Sequence, residues 1–275
     1  MSVNVLKIRR LKIEQLKGIY VKIDERMQRF GAACFILNTL YKFLEQVEDS
    51  SHRMRQVILN FHGLGPPARR LEPGEENYWV DPDFFFEILD LVRHLRDRVS
   101  TCFTFDDGNY SDISIGAEGL ARHGHKAIFF VLAGRVDEPG SLGRGDIKDL
   151  QRAGHFIGSH GYDHLDWRAQ DDAGLVWELD TARQSLENIT GHRIETAAIP
   201  FGRYNRRVMK ALKIRHYTRV YSSDGGASRV GQYLVPRTSP TGGMTLPDIE
   251  NILLGRELWS KCIYRSCAMA LKQRL

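Results

Sequence analysis

Two groups of residues in this sequence have the types and spacing to do chemistry. The first is Asp106-Asp107-Gly108, which follows the run Val99-Ser100-Thr101-Cys102-Phe103. That run is rich in β-formers and bounded by turn residues, so it reads as a buried strand. Adjacent carboxylates at the end of a buried strand repel, and one is driven to protonate unless a cation sits beside them. Gly108 suits a sharp turn or a close backbone approach. An ordinary Asp-Asp-Gly turn has the same composition, so the pair alone does not decide. The second group is His160-Gly161-Tyr162-Asp163-His164, after a short strand candidate at His155–Gly158. Histidines at i and i+4 share one face of a helical turn, a spacing that lets both imidazoles reach one ion. Such pairs also arise on helices by chance. Taken together, two ring nitrogens and a carboxylate oxygen make a three-ligand site with positions open for water and substrate. That is the arrangement of catalytic rather than structural zinc.

At these residues the chain resembles a known family. Thr104-Phe105-Asp106-Asp107-Gly108 and Ser159-His160 through His164 are similar to the first two signature motifs of the polysaccharide deacetylases (the NodB homology domain, carbohydrate esterase family 4). Pro200-Phe201-Gly202 is similar to the core of the third, and the resemblance runs over residues 56–240. It implies that Asp107, His160 and His164 hold a divalent metal, zinc being the expected ion, with Co2+ or Ni2+ able to substitute. It implies that Asp106 is the base that takes a proton from the attacking water. It places Phe201, with Pro200, along the substrate groove, where the Phe201 N–H helps to form an oxyanion hole.

The chain departs from the family pattern twice. The third motif usually carries an arginine two residues before its proline, to orient the base aspartate, and that position is Ala198 here. Arg237, in Val235-Pro236-Arg237-Thr238-Ser239, is the expected replacement. The late Leu-x-His motif that normally supplies the general acid is also missing, since no histidine follows His216. Ile58-Leu59-Asn60-Phe61-His62 instead ends the first strand with a histidine, as in circularly permuted members, so His62 is the expected acid. A histidine is the side chain whose ordinary titration lies nearest neutral pH. Asp224, in Ser222-Ser223-Asp224-Gly225-Gly226, is expected to orient His62 or to pair with its charge, though a plain Asp-Gly-Gly turn has the same sequence.

The elements that must position these residues follow from apolar patterning. Strands are expected at 56–61, 99–103, 127–132, 155–158, 196–199, 217–222 and 233–235. Asp83 is expected to cap a helix from Phe84 to Arg98 that buries Phe85, Ile88, Leu89, Val92 and Leu95. Further helices are expected at 113–123, 146–153, 173–190, 205–214 and 246–272. Strands alternating with helices imply parallel pairing through crossovers. No G-x-G-x-x-G follows the first strand. His62, Asp106, Asp107, His160 and Phe201 all stand at strand C-termini, the pattern of a barrel whose βα loops build the site. The fold class is therefore α/β, and the family resemblance implies a distorted (β/α)7 barrel. Residues 1–50 read as a helical extension, with Phe30, Cys34, Leu37, Leu40, Tyr41 and Leu44 at helical spacing, ahead of a barrel domain over 51–275.

The 275 residues carry an ordinary balance of 27% charged and 42% hydrophobic side chains, with a net charge of +5. No basic arm, zinc finger or RNA-binding signature points to nucleic acid. The four cysteines form neither a disulfide framework nor a Cys-x2-Cys spacing. The N-terminus shows no secretory leader, so a cytoplasmic protein is expected. The excess of Lys and Arg over residues 1–30 would suit peripheral contact with anionic lipid. The expected activity is removal of acetyl groups from N-acetylated sugars of a glycan or its precursor. Two rivals are a silent carbohydrate-binding barrel, which the loss of arginine at Ala198 favours, and a hydrolase of a non-sugar amide. Sequence does not set the oligomeric state.

Overall fold

A computed structural model describes residues 55–256 and 259–274 of the chain. The expected helical extension over 1–50 and its basic residues lie outside the described residues. Contacts define a barrel unit comprising Arg55–Glu257 and Leu271–Leu275.

In chain order the strands are β1 (Arg55–Phe61), β2 (Gly63–Leu64), β3 (Trp79–Val80), β4 (Ser100–Phe105), β5 (Ala127–Val131), β6 (Phe156–Ser159), β7 (Thr196–Ala198), β8 (Arg219–Ser222), β9 (Ala227–Arg229) and β10 (Leu234–Pro236). The main sheet has the order β10-β8-β7-β6-β5-β4-β1-β9, parallel throughout except where β9 runs antiparallel on β1. The sheet curls until its ends meet. Just past β10, Thr238 forms a parallel bridge with Leu59 of β1. Asn60 N donates to Thr238 O at 2.9 Å, and Thr238 N donates to Ile58 O at 2.9 Å. The result is a mixed sheet nearly closed into a barrel, with helices outside it.

Strand alternation decides which residues reach the site. Along β1, Val57, Leu59 and Phe61 join the large outer core with the helices, while Ile58 joins a small inner cluster with Phe130, Ala198, Tyr221 and Val235. Successive side chains on a strand point to opposite faces, so Asn60 and His62 follow Ile58 to the inside. On β4 the same period sends Phe103 and Phe105 outward and Thr104 and Asp106 inward. On β10 it sends Val235 and then Arg237 inward. The apolar inner cluster is therefore roofed by polar residues at the C-terminal ends of the strands. Gly158 of β6 is small of necessity, because a Cβ there would lie 2.4 Å from the Phe130 ring.

The described α-helices are α1 (Pro82–Leu95), α2 (Glu118–Arg122), α3 (Arg144–Arg152), α4 (Asp172–Val176), α5 (Ala182–Thr190), α6 (Arg206–Ile214), α7 (Leu246–Leu254) and α8 (Trp259–Lys272), with π-helical turns at Asp112–Ala117 leading into α2 and at Trp177–Thr181 joining α4 to α5. α1 buries the five residues expected, Phe85, Ile88, Leu89, Val92 and Leu95, but it starts earlier than the sequence reading has it. Asp81, not Asp83, is the cap: its side chain accepts from Asp83 N, and Pro82 fills the first position, where no N–H is needed. The single helix expected over 246–272 is also two, because Gly255 ends α7 in the left-handed region at φ 64°. No described helix is long and apolar enough to cross a membrane.

Candidate active site

Asp106 is buried at the end of β4, and Arg237 is buried beside it. The guanidinium grips the carboxylate with both arms, Nη1 on Oδ1 at 2.6 Å and Nη2 on Oδ2 at 2.8 Å. Asn60 adds a bond from Nδ2 to Oδ2 at 3.0 Å and accepts from Arg237 Nη1 at 2.7 Å. Thr104 Oγ1 donates to Asn60 Oδ1 at 2.6 Å, which closes the network. Arg237 also lies over the rings of Phe130 and Tyr221, 5.2 and 5.9 Å from their centroids. Burial alone would raise the Asp106 pKa, but the charge of Arg237, with help from His160, the Arg237 hydrogen bonds and His62, holds it well below the usual carboxylate range. The guanidinium that Ala198 does not supply is thus delivered to Asp106 from the end of β10. Ala198 faces the inner cluster, and its carbonyl has another task.

That task is to orient His160. His160 Nδ1 lies 3.0 Å from Ala198 O. A carbonyl only accepts, so Nδ1 carries the proton and Nε2 keeps its lone pair. His164 is fixed in the same way by a carboxylate, with Nδ1 at 3.1 and 3.0 Å from the two oxygens of Glu72. Both free nitrogens face Asp107: His160 Nε2 is 3.5 Å and His164 Nε2 is 3.6 Å from Asp107 Oδ1. Asp107 gets there by a strained turn. Following the inward Asp106 it would point outward, but φ of 74° swings its carboxylate back over the mouth. Oδ1 is buried and accepts no hydrogen bond among the described residues. The three ligand atoms lie within 4.8 Å of one another. A buried orphan carboxylate oxygen facing two imidazole lone pairs fits a divalent cation, and the N2O donor set suits zinc. Burial draws the His160 pKa down to about 4, so the ring is neutral and able to ligate at ordinary pH.

The histidine segment is not the helical turn that its spacing suggests. Residues 160–164 form a loop, with φ of 93° at Gly161 and 59° at His164. Buried Glu178 organises this loop, accepting from Tyr162 N at 3.1 Å, Asp163 N at 2.9 Å and Trp167 Nε1 at 3.1 Å. A Cβ at Gly161 would come within 2.4 Å of the same carboxylate.

His62 stands on the other side of Asp106, its Nε2 3.9 Å from Asp106 Oδ2. Its ring lies 4.9 Å from that of Tyr78, and its Nδ1 is buried without a partner among the described residues. The expected pairing of His62 with Asp224 is not formed. Asp224 Oδ2 accepts from Ser222 Oγ at 2.7 Å and Tyr204 OH at 2.8 Å, and Oδ1 pairs with Lys272 Nζ at 2.6 Å. Asp224 is therefore engaged by its own neighbours, and among the described residues it makes no pairing with His62. Pro200 is buried, and Phe201, left-handed at φ 57°, exposes a ring 4.4 Å from that of His164.

Three residues of the site escaped the sequence reading. Asn60 had a signal, since it shares the inward face of β1 with Ile58 and His62. Glu72 had none, because it sits in a loop whose path no periodicity encodes. It is ionised, its pKa lowered to about 2 by the hydrogen bond from His164, against the cost of burial, and by the charges of His164 and Arg135. Asp112 follows the Asp pair by one turn of chain, and both its oxygens are buried without partners among the described residues. Burial, then the charges of Asp107 and Asp106, push its pKa well up. Arg237 answers the charge of Asp106, and the buried, unpartnered Asp107 oxygen beside it leaves room for a cation.

Comparison with known proteins agrees with this geometry. Residues 96–220 match the family model for polysaccharide deacetylase. Bacillus subtilis YxkH is 27% identical over 144 residues, which is 52% of this chain and 52% of its own length. The peptidoglycan-N-acetylglucosamine deacetylase PgdA of Listeria monocytogenes is 30% identical over 110 residues, 40% of this chain and 23% of that protein. The chain thus spans about half or less of the length of these relatives. Among solved structures, the polysaccharide deacetylase BC0361 from Bacillus cereus superposes with a TM-score of 0.63 at 19% identity, over 73% of this chain and 69% of its own. Streptococcus pyogenes deacetylase PplD, in complex with acetate, superposes with a TM-score of 0.62 at 18% identity, over 73% of this chain and 99% of its own. Residues 96–220 thus match the polysaccharide deacetylase family model, and the barrel they help to build shares its fold with solved polysaccharide deacetylases.

Proposed function

We propose that this chain is a divalent-metal-dependent hydrolase that removes acetyl groups from N-acetylated sugars of a polysaccharide or glycan precursor. The observation that carries the reading is the orphaned Asp107 Oδ1 with the Nε2 atoms of His160 and His164 at 3.5 and 3.6 Å. An ion held there, zinc by its ligand set, would supply the Lewis acidity that polarises an acetyl carbonyl and acidifies water.

The chain's own residues then have distinct tasks. Asp106 accepts a proton from the attacking water through Oδ2, the oxygen turned toward both His160 and His62. A carboxylate held so far below its usual pKa keeps a proton only in passing, which suits a relay better than a reservoir. Arg237 and Asn60 lock its orientation. His62, on the same mouth, gives a proton to the departing amine. The Phe201 N–H, beside Pro200, serves the developing oxyanion. Exposed Tyr78 and Phe201 lie against His62 and His164, offering flat apolar faces for sugar rings at the two ends of the polar line.

The test is acetate release by zinc-reconstituted protein from activated acetyl esters and N-acetylglucosamine oligomers. Chelator-treated protein and Asp106→Asn are the controls. Release that needs the metal and disappears in Asp106→Asn is expected. Release that survives chelation would overturn the reading.

A further inference from the structure

The loop between β2 and β3 reaches across the mouth of the barrel, and its contacts are built rather than incidental. Arg69 and Glu75 form an ion pair inside it, with Nη1 on Oε2 at 3.0 Å. Glu75 also accepts from Glu72 N at 2.9 Å and Trp79 Nε1 at 3.3 Å. Arg69 Nε donates to Asn109 Oδ1 at 2.8 Å, and Asn109 Nδ2 donates to His62 O at 2.8 Å. The loop is thereby tied to the turn that follows the Asp pair and to the strand end that bears His62.

Glu72 is the residue this scaffold presents. Its backbone is held by Glu75, and its carboxylate is shared between Arg135 and His164 Nδ1. The two histidines that face Asp107 are therefore backed unequally. His160 leans on the carbonyl of Ala198, a neutral dipole, and His164 on a full carboxylate. A charged acceptor makes a stronger hydrogen bond than a neutral one. It also pushes electron density through the ring toward the nitrogen opposite, which raises the ligand strength of that nitrogen and fixes the ring plane.

We propose that Glu72 is a positioning residue of the metal centre, orienting His164 and strengthening its Nε2 as a ligand through the Nδ1 hydrogen bond. This rests on the assignment of Asp107, His160 and His164 as the ligand set. Glu72 reaches the ion only through His164, and Arg135 keeps its carboxylate in register. The loop joining β2 to β3 is thus a working part of the metal site, though it contributes no ligand.

The experiment compares the parent, Glu72→Gln, Glu72→Ala and His160→Ala, each freed of metal by a chelator. Each is titrated with Co2+, followed by visible absorption and by competition with a chromophoric chelator. Glu72→Ala is expected to bind 10- to 100-fold more weakly, the range of such supporting contacts (about one to two powers of ten), with an altered Co2+ spectrum. Glu72→Gln keeps an amide oxygen for Nδ1–H but lacks the charge, and should fall between alanine and parent. Equal melting temperatures of the metal-free proteins separate this loss from unfolding. A Glu72→Ala affinity within twofold of the parent, with the same spectrum, overturns the proposal. His160→Ala guards the premise: if it binds Co2+ as tightly as the parent, the ligand set itself is wrong, whatever Glu72 does. Should Glu72→Ala fail to fold, the glutamine variant decides alone, since an affinity and spectrum equal to the parent's would overturn the proposal equally.

Discussion

Arg237 and Asp106, 131 residues apart in sequence, meet as a buried two-armed ion pair at 2.6 and 2.8 Å. Removing one partner strands the other charge in the interior, which typically costs about 3–5 kcal/mol. Arg237→Met should therefore lose stability on that scale in urea unfolding. Asp106→Asn keeps a polar acceptor and should lose less, while abolishing turnover and retaining the metal. An Asp106→Asn protein as active as the parent would remove the base assignment.

Ala198 and Arg237 make a second prediction. Ala198 is fully buried in the inner cluster with Phe130 and Tyr221, the rings on which Arg237 lies. Ala198→Arg alone puts a second guanidinium beside the first with one carboxylate between them, and should cost at least about 3 kcal/mol. Combining it with Arg237→Ala should recover part of both stability and activity. A double variant no better than Ala198→Arg would mean that the two positions do not reach the same carboxylate.

The role of His62 can be separated from that of the metal by choice of leaving group. The aryloxide of an aryl acetate departs without a proton, whereas an amide nitrogen needs one. His62→Ala should lower amide cleavage by about 10²–10⁴-fold, the usual range of a general acid, and leave aryl ester cleavage within a few-fold of the parent. Equal losses on both substrates would point to a structural defect.

Why His62 was legible and Glu72 was not has a physical basis. Asp106, His62 and His160 sit at the ends of strands whose alternation already turns them inward, so pattern and position coincide. Arg237 is legible only as the replacement for the arginine missing at Ala198, and the structure places it two positions after inward Val235. Residues 160–164 form a loop although His-x3-His is a helical spacing, because tertiary contacts override it. Glu178 claims the amides of Tyr162 and Asp163, and Gly161 accepts a φ that another residue would resist. The pairing expected between Asp224 and His62 fails for a related reason. A carboxylate after a strand looks free in sequence, but Ser222, Tyr204 and Lys272 saturate it. Glu72 and Asp112 depend on where a loop and a turn travel, which local pattern does not carry.

His155 sets an acid limit on stability. It is buried, its Nδ1 accepts from Ala127 N at 3.2 Å, and its pKa is drawn down to about 4 by burial and then by Lys126. Below the ordinary histidine value of about 6.5 the unfolded chain takes up a proton that the folded chain refuses. Stability should therefore fall as pH drops from 6.5 toward 4, at up to about 1.4 kcal/mol per pH unit for one proton. His155→Gln, compared with the parent in urea at pH 8, 6 and 5, should flatten this dependence. An unchanged slope would show that the ring is protonated in the fold.

The closure at Leu59 and Thr238 has a consequence for how the catalytic mouth comes apart. Asn60 and His62 arrive on one side of that join and Arg237 on the other, so the Asp106 network bridges the place where the sheet is held by two backbone bonds, from Asn60 N and Thr238 N. Local opening there leaves the other strand pairings of the sheet intact, and a partial opening of that kind costs less free energy than global unfolding. Amide hydrogen exchange at Asn60 and Thr238 should therefore run faster than at Phe129 or Phe103, and low denaturant should end the proposed acetate release before circular dichroism changes. The charged grip of Arg237 on Asp106 then doubles as the clasp of the barrel.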